Sequence, residues 1–262
     1  MKIVVITGST QGIGYGLADA FLRRGCAVTI SGRKQPRVDE AVSKLAARCK
    51  SQDILGQACD VRQFDQVRDL WNASKARFGK IDIWINNAGI NHGQMLLWQV
   101  PPEQIQAAVE TNVIGAMNGS VVAIRGMLEQ GSGAVYNMEG LGSNGRRIKG
   151  LTLYGTTKYG LAYLTDALVE ETRGTPVLVG AIRPGMVVTD LLTKPFEGKP
   201  AEWERAKRIF NILAERVETV TPWIVERVLA NDRTGIRIRW LTPARTIRRF
   251  LAAPFSRRDL FA

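Results

Sequence analysis

The sequence predicts one α/β domain, a doubly wound parallel sheet of the Rossmann type. Short β-branched or apolar runs alternate with longer amphipathic stretches from residue 2 to about residue 241, the pattern of βαβ units around a buried parallel sheet. The first of these runs passes directly into a glycine-rich turn and then a helix, the order that opens a doubly wound nucleotide-binding sheet. The length, 262 residues with 45% hydrophobic and 23% charged, suits a single α/β domain whose core needs no disulfide or metal to hold it.

The elements follow in order. Residues 2–7 are β-branched and predict a strand, and 13–24 a helix after the glycines. Residues 26–31 predict a second strand, 37–50 a polar amphipathic helix, 54–59 a third strand, 63–78 a helix and 81–85 a fourth strand. Past Pro101 and Pro102, which suit a helix start, residues 103–130 predict one long helix. A strand at 133–138, a helix at 152–173 and a strand at 176–182 follow. Residues 190–232 predict a helical insertion on the substrate side, 236–241 a last strand, and 233–262 a basic tail. With no repeat, low-complexity stretch or linker, residues 1–262 predict a single unit.

Several function classes are excluded. Cys26, Cys49 and Cys59 are too few and too scattered for a disulfide framework and suggest a reducing compartment. His92 is the sole histidine, so no usual zinc site is expected, and a Ser-His-Asp hydrolase would rest on that residue alone. No apolar run reaches the roughly 18–20 residues of a spanning helix. No signal-peptide core or transit-like segment precedes the first strand, so a cytoplasmic or stroma-like compartment is expected. The net charge is +12, and from Arg233 onward eight arginines face one aspartate. No nucleic-acid motif accompanies that charge, and no nucleic-acid partner is expected.

The turn reads Thr7-Gly8-Ser9-Thr10-Gln11-Gly12-Ile13-Gly14. Glycines let backbone approach a pyrophosphate, and the following helix offers N–H groups and the positive end of its dipole. A tight turn without a ligand is the alternative. The second strand ends in Ser31-Gly32-Arg33-Lys34. A carboxylate there would take the ribose 2′-hydroxyl of NAD. Arg33 with Ser31 or Lys34 suits the 2′-phosphate of NADP(H) instead, unless the turn is only a solvated basic one.

Asn86-Asn87-Ala88-Gly89 follows the fourth strand, Tyr154-x-x-x-Lys158 opens a long helix, and Pro184-Gly185-x-x-x-Thr189 follows the sixth strand. Together with the glycine turn, in this order over residues 1–192, they resemble the short-chain dehydrogenase/reductase family. Tyr136–Gly140, Tyr154–Lys158, Arg183–Val187 and Leu241–Pro243 are similar to its chlorophyll b reductase branch, which reduces the 7-formyl group of chlorophyll b. The resemblance implies an NADPH-dependent reductase of a hydrophobic tetrapyrrole, active as a homo-oligomer built through two long helices. It implies that Asn112 anchors a proton-relay water, that Asp60 and Val61 flank the adenine, and that Asn87, Ala88 and Gly89 pass the riboses. Pro184 and Gly185 would lead to Thr189, which would meet the nicotinamide carboxamide or pyrophosphate. Reductases of lipid-like ketones, and a cofactor-binding protein without turnover, are the other functional readings.

Tyr154 and Lys158 share one helical face. An ammonium beside a phenol is expected to lower the phenol pKa and let it exchange a proton with a substrate oxygen. The family's usual serine, thirteen residues before the tyrosine, is Leu141 here. Ser143 is the expected replacement, or else a loop serine of no catalytic role. His92 could touch substrate or be a surface histidine. Met95, Leu96, Leu97, Trp98, Phe196, Trp203 and Phe210 could line a large apolar site or pack as a helical cap. Arg146, Arg147 and Lys149 could meet a carboxylate. Ile247, Phe250 and Leu251 fall at helical spacing among arginines, so the tail could rest on an anionic membrane or pack on its own domain or a partner copy.

Overall fold

The computed structural model describes residues 1–256 and 258–261. Arg257 and Ala262 of the basic tail lie outside the described residues. Seven parallel strands run β1 (Ile3–Ile6), β2 (Ala27–Gly32), β3 (Ile54–Ala58), β4 (Ile83–Asn86), β5 (Gly133–Met138), β6 (Val177–Arg183) and β7 (Arg237–Arg239). They stand in the order β3-β2-β1-β4-β5-β6-β7. The strand order reverses beside β1, so a crevice opens at the carboxyl ends of β1 and β4, where doubly wound sheets bind ligands.

Alternation along β1 sets the two layers. Val4 and Ile6 face the core formed with Leu17, Phe21, Val38, Leu45, Val220 and Ile224, the inner faces of α1 (Gly12–Leu22), α2 (Gln35–Cys49) and α9 (Val217–Leu229). Ile3 and Val5 face Leu70, Trp71, Trp84, Ala123 and Met127, packed under α3 (Phe64–Phe78) and α5 (Gly115–Gln130). On that second face α6 (Thr152–Glu171) is tied to β5, because Asn137 donates to Thr165 at 3.0 Å.

The predicted 103–130 helix is helical throughout but not uniform. It comprises α4 (Pro102–Val109), a π turn (Glu110–Ile114) and α5. By length and composition Pro102–Gln130 meets the measure of a membrane-crossing helix, 29 residues with a window of mean hydropathy 1.2, contrary to the expectation that no segment would. It packs instead with Ala116, Ser120, Ala123 and Met127 buried against the sheet and α3.

The 190–232 stretch divides in two. The short α7 (Asp190–Thr193), a 3-10 turn (Lys194–Phe196) and α8 (Pro200–Leu213) lie on the substrate side. By contrast α9 is a core crossover helix, with Val220, Ile224, Val225 and Val228 buried. The tail carries one further helix, α10 (Pro243–Ala252). Cys26, Cys49 and Cys59 are unpaired, and burial pushes the Cys59 thiol up to about 12.

Candidate active site

The glycine turn is held from the neighbouring strand end. Asn87 donates from its side chain to the carbonyls of Thr7 and Gly8, both at 2.9 Å, and the Thr7 hydroxyl accepts from the amides of Asn87 and Ala88. Gly8 and Gly12 have φ of +62° and +60°, which only glycine adopts without strain. A Cβ on Gly8 would stand 2.7 Å from the Ala88 Cα. The Asn87 amide is therefore an anchor for the turn, while Thr189 approaches it from the far side, 3.4 Å from where a Gly12 Cβ would be. Pro184 and Gly185 carry the chain from β6 toward Thr189, and Gly185 (φ +77°) packs against Leu241 of the tail.

Ser9 and Ser31 exchange backbone and hydroxyl bonds across the turn, and the Ser31 hydroxyl is buried without a partner. Arg33 and Lys34 are exposed beside it. A cleft of about 380 Å³ adjoins the turn, lined by Thr10, Gln11 and Arg37 and by two ion pairs, Lys44 with Glu40 and Lys194 with Asp190. The tight glycine cradle, the orphaned hydroxyl and the exposed Arg33, Lys34 and Arg37 fit a phosphate-bearing dinucleotide. Arg37 is not singled out by the sequence, although it stands one helical turn beyond Arg33. The Asp60 carboxylate is gripped by Arg62, which holds it below the usual carboxylate range. Val61 packs its side chain beneath Gly115.

The π turn positions Asn112, wholly buried. Its amide donates to the Ile90 carbonyl at 2.9 Å and to Thr157 at 3.1 Å, and its oxygen accepts from the Ile90 amide at 2.8 Å. A π turn breaks the regular ladder and often marks a working site. Across Gly89 lies Lys158; a Cβ on Gly89 would come within 3.3 Å of the Asn112 oxygen and 3.6 Å of the Lys158 Nζ. Lys158 donates to the Met138 carbonyl at 3.0 Å and stands 5.7 Å from the Tyr154 ring centroid.

The expected lowering of the phenol pKa is not what the site does. Burial pushes Tyr154 up to about 12 and Lys158 down to about 8. The ammonium is itself desolvated and bonded to a carbonyl, so it does not offset the phenol's loss of water. The phenol is thus held protonated, the form a proton donor needs. Lys158 carries charge below pH about 8 and loses it above. A reduction assisted by that charge should fall as pH rises through about 8, with no separate limb from the phenol, as kcat/KM against pH will show.

Gly140 lies directly against the Tyr154 hydroxyl: a Cβ there would be 2.7 Å from the Oη. Leu141 and Gly142 follow, and Ser143 closes the turn by donating its amide to the Gly140 carbonyl at 3.1 Å. Ser143 is buried in the same loop. Glu139, to which the sequence alone assigns no role, anchors this loop. Its fully buried carboxylate pairs with Arg183 and with Arg237, the latter at 3.3 Å, and Arg183 reaches the Ser143 carbonyl at 3.4 Å. An acidic residue at the end of a buried strand is the available signal, since such a charge needs partners.

On the substrate side, Phe196, Trp203 and Phe210 pack on one another and on Phe261, centroids 4.8–6.3 Å apart. These rings form an aromatic cluster that joins α8 to the C-terminal segment. Leu97 and Trp98 stay exposed, as do Arg146, Arg147 and Lys149. His92 is not a surface histidine. Both ring nitrogens are buried without a partner and burial lowers its pKa, because its segment folds over with Gly93 against Pro195. Among the described residues no His/Cys/Asp/Glu cluster could hold a metal.

The profile of the family described as short chain dehydrogenase matches residues 2–200. A rice protein (Oryza sativa subsp. japonica) described as a probable chloroplastic chlorophyll(ide) b reductase NYC1 is 37% identical over 260 residues, covering 93% of this chain and 50% of that protein. A second rice protein, the chloroplastic chlorophyll(ide) b reductase NOL, is 38% identical over 232 residues, covering 87% of this chain and 66% of that one. The chain thus spans about half to two thirds of the length of these relatives. The crystal structure of a 3-ketoacyl-(acyl-carrier-protein) reductase from Brucella melitensis complexed with NADH is 25% identical, with a TM-score of 0.77 over 91% of this chain and 96% of that one.

Proposed function

The chain belongs to the short-chain dehydrogenase family, and from that premise we propose that it is an oxidoreductase of C=O and CH–OH groups that reduces the 7-formyl group of a chlorophyll b-like tetrapyrrole with NADPH. The observation that carries the chemistry is the half-buried Tyr154 beside the buried Lys158, both facing Gly140 near the glycine turn. The similarity to the two rice reductases supports the substrate class.

Gly8–Gly14, with the main chain of Ala88 and Gly89 and the Thr189 side chain, would hold the dinucleotide, and its reduced nicotinamide supplies a hydride when bound. Tyr154 gives its Oη proton to the formyl oxygen as the carbon becomes tetrahedral, leaving a hydroxymethyl group. Lys158 stabilises the phenolate left behind and is positioned to hold the nicotinamide ribose. Asn112 fixes the π turn beside them and holds the relay water of the resemblance. Ser143 orients the carbonyl from the Glu139–Ser143 loop. Leu97 and Trp98 offer an exposed apolar rim for a large flat substrate.

Arg33 and Lys34, with Ser31, select NADPH through its 2′-phosphate. Arg33→Glu should weaken NADPH binding roughly ten- to a hundredfold, the span of a charge-assisted hydrogen bond, and leave NADH nearly unchanged. Fluorescence titration of both cofactors checks this.

The partners in this reading are the tetrapyrrole, a second copy and a membrane. Met117, Val121 and Leu128 on α5, with Tyr159 and Tyr163 on α6, leave an apolar stripe open to solvent, which a homo-oligomer would cover. A lipid-soluble substrate also suits a peripheral membrane contact through the C-terminal segment, within a reducing cytoplasmic or stroma-like compartment.

The test is NADPH oxidation with chlorophyll b or chlorophyllide b, followed by absorbance and chromatography. A 7-hydroxymethyl product is the expected result. Turnover of 3-oxoacyl or steroid ketones without pigment turnover would move the substrate class. Cofactor binding with no turnover of any carbonyl would leave only a binding protein.

A further inference from the structure

We infer that α10 is a membrane-docking helix that lays its apolar face on an anionic lipid surface. The inference rests on the membrane contact of the proposed function and gives it residues and an orientation.

The helix is amphipathic in the reverse of the usual sense. Arg245 and Arg249, four apart, form its inward stripe with Thr246 beside them. Arg245 donates to the Trp240 carbonyl at 2.6 Å, with its guanidinium 4.1 Å from the Trp240 ring centroid. Arg249 donates to the carbonyls of Leu213 and Ala214 at 3.0 and 3.1 Å and pairs with Glu215. The opposite face carries Ile247, Phe250 and Leu251, which are 61%, 46% and 71% exposed, and the chain continues to Phe255, 90% exposed. A surface helix ordinarily buries its apolar stripe against the core. Here the core side is taken by arginines and the apolar side faces outward, so water is not the medium this face suits.

Charge names the occupant. Arg248 is exposed on α10 itself, between Ile247 and Arg249. At the helix start, Thr242 caps α10 by accepting from the Arg245 amide and also lines a groove of about 760 Å³ along the sheet edge. That groove presents Arg227 and Arg239, while Arg233 is offset by the groove's one carboxylate, Asp232. Nearby Glu215 is neutralised by Arg249 and Arg258. A second copy laid on this patch would oppose cation to cation. An anionic headgroup layer neutralises the arginines while one row of Ile, Phe and Leu enters the acyl boundary, as interfacial helices do.

The test is flotation of the full chain with pigment-free vesicles, so failure of the tetrapyrrole reading leaves the result untouched. Vesicles of phosphatidylcholine with phosphatidylglycerol should carry the protein, and phosphatidylcholine alone, or high salt, should carry about tenfold less. The triple variant Ile247→Ser/Phe250→Ser/Leu251→Ser should lose about tenfold of the binding while cofactor affinity stays the same, since all three side chains are exposed. Arg248→Glu should weaken anionic binding alone. Equal flotation of the triple variant, or none by the native chain, overturns the inference. So does a native chain whose oligomer dissociates in the triple variant, which would make a second copy the occupant.

Discussion

Tyr154→Phe should lower the rate of carbonyl reduction roughly 10²–10⁴-fold, the range for losing a positioned proton donor, with cofactor affinity intact. The ring stays, and with it the packing beside Lys158 and Gly140. The variant loses a hydroxyl whose pKa burial holds near 12 and which would otherwise place a proton at the substrate oxygen. Stopped-flow single turnover and cofactor titration separate the two effects. A variant retaining near-native turnover would remove Tyr154 from the chemistry.

Glu139→Ala should give the largest loss of stability. The carboxylate is fully buried and faces two guanidiniums, each about one-fifth exposed. Removing it strips Arg183 of its carboxylate, and breaking a buried ion pair costs about 3–5 kcal/mol, while Arg237 keeps Asp166 at 2.6 Å. Access of water to both arginines places the expected loss near the lower end, about 3 kcal/mol, or roughly 6–12 °C in Tm for a domain of this size. Glu139→Gln, which keeps an acceptor, should lose less. The negative charge also raises the Lys158 pKa against the lowering by burial. The variants should therefore shift the alkaline fall in activity to lower pH, an effect that loosened packing alone would not produce. Urea unfolding and the pH profile read the two consequences independently.

The parts legible in the sequence are those written in local periodicity. The strand at 133–138 and the helix at 63–78 fall within a residue of β5 and α3, because burial on both faces and a 3.6-residue stripe leave a local signature. The glycine turn and the Tyr154/Lys158 spacing are local as well. The Glu139 cluster is hidden in the sequence because its partners lie 44 and 98 residues away. The direction of the Tyr154 pKa is not legible there either, because spacing gives the neighbour of a phenol but not its depth. In the 190–232 segment, helicity is readable. That its last helix belongs to the core depends on α1, about two hundred residues earlier in the chain.

The π turn sets how this chain tolerates change in length. One extra residue in a helix rotates the upstream turns by about 100° relative to the downstream ones. Asn112 can therefore point inward to Ile90 and Thr157 while Met117, Val121 and Leu128 keep a separate outward row. Deleting a single residue such as Val113 would merge the two phases and carry one face with the other. The candidate site and the exposed apolar row share a helix, yet each keeps its own angular setting, and a length change there would couple two properties that substitutions can vary separately.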